Sequence, residues 1–264
     1  MKNPQYNNNW PQSWKESYKY DQLELYNREY NSYIYQFRNR FNNLIRMIKQ
    51  WLPIGTSILD IAAAQGNFTL TLAEAGYNVT WNDLREDLIG YVKLKYEYGK
   101  VDYCPGNILE KGGQEFDAVI ISEIIEHVAY PDKFLKIVAA LVKPGGFIFL
   151  STPLGSYSLN RLPKFSNFPN PTIFEKEQFK PNADGHIFIL YKDELEKFAL
   201  ESNLLVRETV IQNNYLTEGH YKLRLLYKFL PVTFIRKIEK LTQKLPLFIR
   251  LKMHNNISMV LQKV

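Results

Sequence analysis

The sequence predicts an α/β fold with a doubly wound, parallel sheet. Short apolar runs alternate with helical patterns between residues 57 and 153, at the spacing of repeated βαβ units. Two of these runs, 116–121 and 147–151, are continuously apolar, as expected of strands that are buried on both faces. Turn-forming residues, such as the Lys-Pro-Gly-Gly segment at 143–146, separate the elements. We therefore expect helices on both faces of the sheet.

The individual elements follow from this alternation. Residues 1–20 are polar and aromatic and predict an irregular arm, whereas residues 23–51 carry apolar residues at helical spacing, in one long helix or two successive ones. Strands are expected at 57–62, 77–81, 101–104, 116–121, 147–151, 204–211 and, as a last edge strand, 257–264. Helices are expected at 66–75, 85–98, 131–142 and 191–202. The chain is thus divided into an N-terminal arm and lid, 1–52, and a main domain, 53–264, with insertions at about 153–185 and 216–254.

Composition narrows the class of protein. The 264 residues can bury one large core, and 45% hydrophobic with 23% charged residues is ordinary for a globular protein in water. The single cysteine, Cys104, excludes an internal disulfide framework and a cysteine-rich zinc site. The sequence does not open with a signal-peptide pattern, and its apolar runs stay well below the ~18 residues of a membrane span. We expect a cytoplasmic protein.

The loop after the first strand and the end of the second strand predict a nucleotide site. Ligands of open parallel sheets bind at the carboxyl ends of the strands. In that loop, small residues at Ala62, Ala64 and Gly66 allow a nucleotide to approach the backbone closely. Asp83, which lies 23 residues beyond Asp60, can accept hydrogen bonds from both ribose hydroxyls. A nicotinamide dinucleotide site would need a further small residue directly after Gly66, where this chain has asparagine.

Two longer segments carry a family resemblance. Residues 116–128 read FDAVIISEIIEHV, and residues 141–153 read LVKPGGFIFLSTP. They resemble the class I S-adenosylmethionine-dependent methyltransferases, and most of all the ubiquinone-biosynthesis O-methyltransferases. The resemblance covers residues 55–153 closely and 184–211 loosely. It implies a Rossmann-like, doubly wound seven-stranded sheet with a reversed hairpin at one edge, to which we add an N-terminal helical arm and inserted cap helices.

The resemblance also implies a cofactor, S-adenosylmethionine, and its contacts. The first motif of the family is an acidic residue followed by a glycine-rich loop, and in this chain alanine replaces two of the glycines. In the family this loop holds the methionine end, the acid after the second strand holds the ribose, and a residue matching Asn107 lies beside the adenine. The alternative for Asn107 is a plain turn residue. The cofactor-binding residues expected in this chain are Asp60, Ala62, Ala64, Gly66, Asp83, Asn107 and Ser122.

An ExxEH motif and a distant histidine suggest a metal site. Glu123, Glu126 and His127 share one face if the segment after the fourth strand is helical, and His186 precedes a later helix. The set resembles the divalent-metal site of small-RNA 2′-O-methyltransferases. Its oxygens suit Mg²⁺ or Mn²⁺, while its nitrogens favour Mn²⁺, Fe²⁺, Co²⁺ or Zn²⁺. The alternative is that these residues fix the loop beneath the cofactor, with His127 and His186 as structural groups or catalytic bases.

The aromatic arm has two interpretations. Seven tyrosines and two tryptophans lie within the first 35 residues. The helical stripe of 23–51 favours core packing. Trp10, Trp14, Tyr18 and Tyr20 are the better candidates for a lid over an apolar substrate.

The basic segment near the C-terminus predicts an amphipathic helix after Pro231. Its two sides are expected to carry Val232, Ile235, Ile238, Leu241 and Leu245 against Arg236, Lys237, Lys240 and Lys244. Such a helix is most often a cap with a solvated basic face. Residues 231–252 could also contact an anionic membrane surface or, less readily, the phosphates of a nucleic acid.

Together these features predict an S-adenosylmethionine-dependent O-methyltransferase that acts by in-line methyl transfer. The acceptor is expected to be a small or medium-sized metabolite, free or linked to a lipid, sugar or peptide, bound beneath the 153–185 insertion and the arm. One alternative is a metal-dependent RNA 2′-O-methyltransferase, which the net charge of +6 and the lack of an RNA-binding module disfavour. Another is a non-catalytic binding protein in which Ala62 and Ala64 have abolished cofactor affinity.

Overall fold

The structure is a computed structural model that describes residues 1–27, 31–111, 115–178, 185–214 and 229–264. Within these residues seven strands form one sheet. The strands are β1 Ser57–Ile61, β2 Asn78–Trp81, β3 Lys100–Tyr103, β4 Phe116–Ser122, β5 Val142–Pro153, β6 Leu204–Asn214 and β7 His254–Lys263. Their order across the sheet is β3-β2-β1-β4-β5-β7-β6, which confirms the predicted seven-stranded, doubly wound architecture.

Strand direction changes at one side of the sheet. Strands β1 to β5 pair in parallel, whereas β7 is antiparallel to both β5 and β6. The prediction of an edge strand at 257–264 was wrong, because β7 lies between β5 and β6, and β6 forms the edge. The apolar run of β7 indicates that both of its faces are buried, but it does not show which strands pair with it, and β5 and β6 hydrogen-bond to its two sides.

Helices cover both faces of the sheet. They are α1 Gln12–Asp21, α2 Ser32–Trp51, α3 Asn67–Glu74, α4 Leu88–Lys95, α5 Ile108–Lys111, α6 Pro131–Ala140, α7 Lys192–Glu201, α8 Val232–Thr242 and α9 Leu247–Met253. The helix expected at 85–98 is shorter at both ends. Residues before Leu88 belong to the loop that leaves β2, and Tyr96 is already extended.

The core is divided by the sheet into two layers. Ile58 and Leu59 are adjacent in β1 and fully buried, yet they pack in different clusters, because successive side chains of a strand point to opposite faces. The Ile58 layer is completed by α2 and α3, and the Leu59 layer by α6 and α7. The parallel strands are therefore supported by apolar packing on both faces of the sheet.

The N-terminal arm is more regular than the sequence predicts. Residues expected to be irregular form α1, which continues into a π-helical turn, Gln22–Tyr26. The segment 23–51 is not one helix, because Asn27 is extended and α2 starts at Ser32. The Asn31 side chain accepts a hydrogen bond from the Ile34 backbone N–H at 3.0 Å and caps α2.

The expected lid residues of the arm have another role. Trp10, Trp14 and Tyr18 pack against one another, and both tryptophans contact the Tyr91 ring of α4. Tyr20 is 46% exposed. Trp10 and Trp14 thus fasten the arm to the outside of α4, with Tyr18 packed on Trp10, so the lid prediction was wrong for these three residues and stays a prediction for Tyr20. Sequence spacing cannot show which surface a helix covers.

Both insertions contain helical structure. The 153–185 segment includes two 3₁₀ turns, Phe165–Asn167 and Pro171–Phe174, while its residues 179–184 lie outside the described part. The 216–254 segment contains α8 and α9, and its residues 216–228 likewise lie outside the described part.

The two sides of α8 differ from the prediction. Ile235 packs inward as expected, but Leu241 is 63% exposed, and Glu239 is buried in place of an apolar residue. Glu239 turns inward because its carboxylate accepts hydrogen bonds from the backbone N–H groups of Asn213 and Asn214, at the end of β6. In the described ranges, helices are all too short or too polar to cross a membrane.

Candidate active site

A cavity of about 720 Å³ opens at the carboxyl ends of β1, β2 and β4. The strand order reverses on either side of β1, and ligands of parallel sheets bind in the crevice at such a switch point. The loops that follow the three strands form its floor, and α2 with the π-helical turn forms a wall. Six of the seven expected cofactor residues line it, namely Asp60, Ala62, Ala64, Asp83, Asn107 and Ser122.

The loop after β1 has the backbone of a glycine loop, although two of its small residues are alanine. Ala62, Ala64 and Gly66 have φ values of 51°, 47° and 73°, all in the left-handed region that favours glycine. A side chain at Gly66 would place its Cβ 2.9 Å from a Val92 methyl group. The loop therefore has a backbone conformation typical of glycine, and the two alanines adopt it at a cost of about 1–2 kcal/mol each.

Asp60 supports this loop from below. Its carboxylate is 2% exposed and accepts a 2.6 Å hydrogen bond from the Thr69 hydroxyl in α3. Burial raises the pKa of Asp60 to about 7, against the Thr69 hydrogen bonds, which lower it. Asp60 thus ties the end of β1 to the first turn of α3, which fixes the shape of the loop.

Asp83 lies on the other side of the loop, and its carboxylate already has partners. It accepts a 2.8 Å hydrogen bond from the Ala64 backbone N–H, and Arg85 contacts both of its oxygens at 3.0 and 3.2 Å. The Asp83 side chain is 4% exposed and that of Arg85 is 50% exposed. A ribose at this carboxylate would therefore have to displace the half-exposed Arg85 guanidinium rather than fill an empty position.

Asn107 and Ser122 mark two ends of the cavity. The Asn107 side chain accepts a hydrogen bond from the Leu109 backbone N–H at 3.2 Å and donates to Glu110, so it shapes the turn before α5 as well as lining the cavity. The Ser122 hydroxyl is 2.9 Å from that of Ser151 and ends β4 beside the cavity. Both predicted positions face the cavity, and both side chains also have structural hydrogen bonds.

Sequence analysis missed the wall that the arm contributes. Phe37, Arg40 and Phe41 of α2 and Glu24 of the π-helical turn line the cavity. Arg40 Nη1 lies 3.3 Å from Glu123 Oε2. A cation on the apolar stripe of α2 was the one available signal for Arg40. The position of Glu24 depends on the packing of the arm against the sheet, which residue spacing does not reveal.

Glu126, His127 and His186 come together at the edge of the cavity. Glu126 Oε1 lies 4.0 Å from the Nε2 atoms of both histidines, and the two imidazole rings have centroids 4.9 Å apart. Glu126 Oε1 is buried and has no hydrogen-bond partner among the described residues, whereas Thr152 donates to Oε2 at 3.0 Å. The three ligand atoms lie within 4.8 Å of one another, which would permit them to share one cation.

The electrostatics of this cluster favour the uncharged forms of Glu126 and His186. Burial, and then the negative charge of Glu123, raise the pKa of Glu126 well above its usual value. Burial and the neighbouring His127 lower the pKa of His186. His127 Nδ1 lies 3.2 Å from the Gly185 carbonyl oxygen, which can only accept, so in the neutral imidazole Nδ1 carries the proton and Nε2 presents a free electron pair.

Glu123 does not belong to this cluster. The segment after β4 is a 3₁₀ turn, Ile125–His127, rather than the expected α-helix, and Glu123 has a left-handed φ of 56°. Its carboxylate pairs with Arg40 and accepts hydrogen bonds from Ser151 at 2.9 Å and Asn256 at 3.1 Å. Four ligands were expected, and the structure brings three of them together.

Comparison with known proteins identifies a family. The sequence model of a family described as "Methyltransferase domain" matches residues 26–209. A ubiquinone biosynthesis O-methyltransferase of Dechloromonas aromatica (strain RCB) is 43% identical over 115 residues, which are 42% of this chain and 47% of that protein. One of Hydrogenovibrio crunogenus is 30% identical over 174 residues, 62% of this chain and 68% of that protein. This chain spans about half the length of the first curated relatives that it matches.

Solved structures agree on the fold. The crystal structure of magnesium protoporphyrin IX methyltransferase from Synechocystis PCC 6803 with bound SAH superposes with a TM-score of 0.53. It covers 86% of this chain and 82% of the other, at 12% sequence identity. At such identity the likeness shows the architecture alone, because proteins with the same fold can have different functions.

Proposed function

This chain belongs to the methyltransferase family, and we propose that it transfers a methyl group from S-adenosylmethionine to a hydroxyl oxygen of a small metabolite. One observation carries the proposal: a single cavity joins the left-handed loop after β1 to His127. A methyl donor on the loop and an acceptor beside a base would then meet in one space.

The cavity lining supports a definite placement of the donor. The methionine end would lie on residues 62–65, the ribose at Asp83, and the adenine near Asn107. Arg40, on the arm side, supplies a cation for the methionine carboxylate. The sulfonium methyl would then point toward Ser122 and the His127 cluster, where the acceptor binds.

The reaction needs the acceptor hydroxyl to lose its proton. The oxygen forms a bond to the methyl carbon as the carbon–sulfur bond breaks, and the bonding electrons remain on sulfur, which leaves S-adenosylhomocysteine. The proton goes to His127 Nε2, whose free electron pair follows from the Nδ1 contact with Gly185. His186, with its lowered pKa, stays neutral beside it at pH 7 and does not repel the new imidazolium.

The cluster also fits a divalent cation. A buried carboxylate oxygen without a partner among the described residues, next to two imidazoles, is a donor set that one cation would satisfy. As an alternative to proton acceptance by His127, since Nε2 cannot hold a proton and a cation at once, we propose that Glu126, His127 and His186 hold the cation. With Glu123 engaged by Arg40, the two nitrogens favour Mn²⁺ or Zn²⁺ over Mg²⁺. Such a cation lowers the pKa of an oxygen acid bound to it.

The name of the relatives supports the acceptor class. Ubiquinone biosynthesis O-methyltransferases are by that name enzymes of small-molecule synthesis, which favours a phenolic metabolite over RNA for this chain. Phenols also suit the mechanism, because a positioned base contributes about 10²–10⁴-fold and a phenol is acidic enough for that to suffice.

A lipid-linked acceptor gains some support from the exposed face of α8 and from α9. Phe234 and Leu241 lie two turns apart and are 48% and 63% exposed, with Lys237 and Lys244 at neighbouring positions. Phe248 of α9 is 71% exposed. We propose that this basic, apolar face contacts an anionic membrane surface. Point variants such as Phe234→Ser and Leu241→Ser should lower co-sedimentation with anionic vesicles, and unchanged binding would contradict the contact.

A turnover assay tests the proposed reaction. Methyl transfer from labelled S-adenosylmethionine to a panel of simple phenols is measured for the wild type, His127→Ala and Tyr98→Phe, an exposed control. We expect His127→Ala to lose ~10²–10⁴-fold in kcat while its affinity for S-adenosylhomocysteine is kept, and the control to be unaffected. Full activity of His127→Ala would refute the role of His127.

Metal content tests the cation separately. The wild type purified without chelator should contain about one equivalent of a divalent transition metal by elemental mass spectrometry, and His186→Ala should contain much less. EDTA should then remove both the metal and most of the activity. A metal-free protein with full activity would restrict the cluster to base catalysis.

A further inference from the structure

Glu24 is an acidic residue of the cavity wall that the proposed reaction does not use. It lies in the π-helical turn of the arm, is 6% exposed, and lines the same cavity as the loop after β1. Its Oε1 accepts a 2.7 Å hydrogen bond from the Tyr33 hydroxyl, and its Oε2 has a long contact of 3.4 Å with the Gln65 amide of that loop. The Oε2 atom is therefore weakly held and faces the loop.

The backbone around Glu24 is held in place by the side chain of Arg38. The Arg38 guanidinium donates to the carbonyl oxygens of Glu24 at 2.8 Å, Leu25 at 3.1 Å and Asn27 at 2.8 Å. These are the carbonyls that the end of the π-helical turn leaves without helical partners. One cation thus holds the turn that presents the Glu24 carboxylate to the cavity, and π-helical turns are frequent at functional sites.

The positive charges near Glu24 are already matched by other acids. Lys95 Nζ lies 2.6 Å from Asp21 Oδ2, with both side chains fully buried, and Arg40 pairs with Glu123. In the part of the chain that the structure describes, Glu24 has no ion pair of its own. Burial accordingly raises its pKa to about 7, against the lowering effects of Tyr33 and Arg40.

We propose that Glu24 binds the α-ammonium group of the methionine moiety of S-adenosylmethionine. The inference rests on the proposed function, since it assumes that the methionine end lies on the loop after β1. A zwitterion placed there would meet Arg40 and Glu24 in one wall. Its carboxylate would share the Arg40 guanidinium with Glu123, and its ammonium would pair with Glu24. Glu24 is then a binding residue, and the arm is part of the cofactor site rather than a covering.

The decisive experiment is a double comparison by calorimetry. S-adenosylhomocysteine and its deaminated analogue, S-(3-carboxypropyl)-5′-thioadenosine, are titrated into the wild type and into Glu24→Gln. The glutamine keeps the size of the side chain and can still accept from Tyr33, but it lacks the charge. We expect E24Q to lose roughly 10- to 100-fold in affinity for S-adenosylhomocysteine and to bind the deaminated analogue as the wild type does.

Each outcome has a distinct meaning. Equal losses for both ligands would show that E24Q only disturbs the arm, and no loss for either would show that Glu24 does not bind the ammonium; both results overturn the inference and leave the proposed function intact. If neither protein binds S-adenosylhomocysteine, the proposed function itself fails. Gln12→Ala in α1 is a matched arm variant away from the cavity and should bind both ligands normally.

A pH series provides a second measurement on the wild type. An ammonium partner favours ionised Glu24, so the affinity for S-adenosylhomocysteine should fall by about tenfold between pH 8 and pH 6. The charged and titratable groups that face Glu24 are Asp21, Lys95, Tyr33 and Arg40. Asp60, with a pKa of about 7, also lines the cavity. The part of the pH dependence that disappears in E24Q therefore belongs to Glu24, and an identical slope in both proteins would contradict the assignment.

Discussion

The two walls of the cavity are stabilised in different ways. The sheet wall, with the loops after β1 and β2, rests on fully buried apolar layers on both sides of β1. In the arm wall, α2 belongs to the apolar layer of Ile58, whereas the π-helical turn is held by buried polar contacts, chiefly the Lys95–Asp21 ion pair and the hydrogen bonds of Arg38. Removing one partner of a buried ion pair is costly, because the other charge stays buried without compensation. The sheet wall is therefore stabilised mainly by apolar packing, and the π-helical turn mainly by paired charges and hydrogen bonds.

The largest expected effect is on the arm. Lys95→Met leaves Asp21 buried without its cation and removes the Lys95 hydrogen bond to the Gln65 carbonyl oxygen, so we expect a loss of about 3–5 kcal/mol of stability. Chemical denaturation measures it. Lys197→Met removes an exposed ion pair to Glu201 and should cost at most about 0.5 kcal/mol. Similar small losses for both variants would contradict the account of the arm.

The next effect concerns the sheet wall and a ligand. Asp83→Asn replaces one carboxylate oxygen by an NH₂ group, which cannot accept a hydrogen bond from a ribose hydroxyl, and removes the negative charge. We expect about 1.5–3 kcal/mol less binding free energy for S-adenosylhomocysteine. Asp102→Asn, at an exposed position of the adjacent strand β3, is the matched control. Calorimetry compares the two variants. Unchanged affinity of the Asp83→Asn variant would mean that the ribose does not bind Asp83, because Arg85 keeps its carboxylate occupied in the wild type.

The smallest effects are on the loop itself. Ala64→Gly relieves a left-handed alanine and should raise stability by about 1 kcal/mol, which corresponds to roughly 2–4 °C in Tm. Gly66→Ala does the reverse, because its Cβ would meet Val92 at 2.9 Å, and should cost about 1–3 kcal/mol. Thermal unfolding distinguishes them. The same sign for both would mean that the loop is not held in this backbone conformation.

The same difference between the two walls explains which residues of the cavity could be predicted from the sequence. Buried parallel strands have a distinctive apolar pattern, and the residues that end them fall at one edge of the sheet, so Asp60, Ala62 and Asp83 could be placed in the cavity. The positions of Glu126 and His127 at the edge of the cavity could be predicted in the same way. The grouping of Glu123 with them could not, because the left-handed φ of Glu123 turns its side chain away from theirs.

The arm and the C-terminal strands were harder to predict, because their positions depend on distant contacts. Trp14 hydrogen-bonds to the Asp87 carbonyl oxygen, 73 residues away, and β7 enters the sheet between strands that precede it in the chain. A helical stripe gives the period of a helix but not the surface that it covers. For this reason α1 was predicted as irregular, and Arg40 and Glu24 were missed.

Crystals grown with S-adenosylhomocysteine test the central claim most directly. The account predicts electron density for the nucleoside in the cavity, with its ribose hydroxyls on Asp83, the Arg85 guanidinium displaced into solvent, and its methionine end between residues 62–65 and the arm. A cavity that stays empty at saturating ligand, with Arg85 still on Asp83, would contradict it.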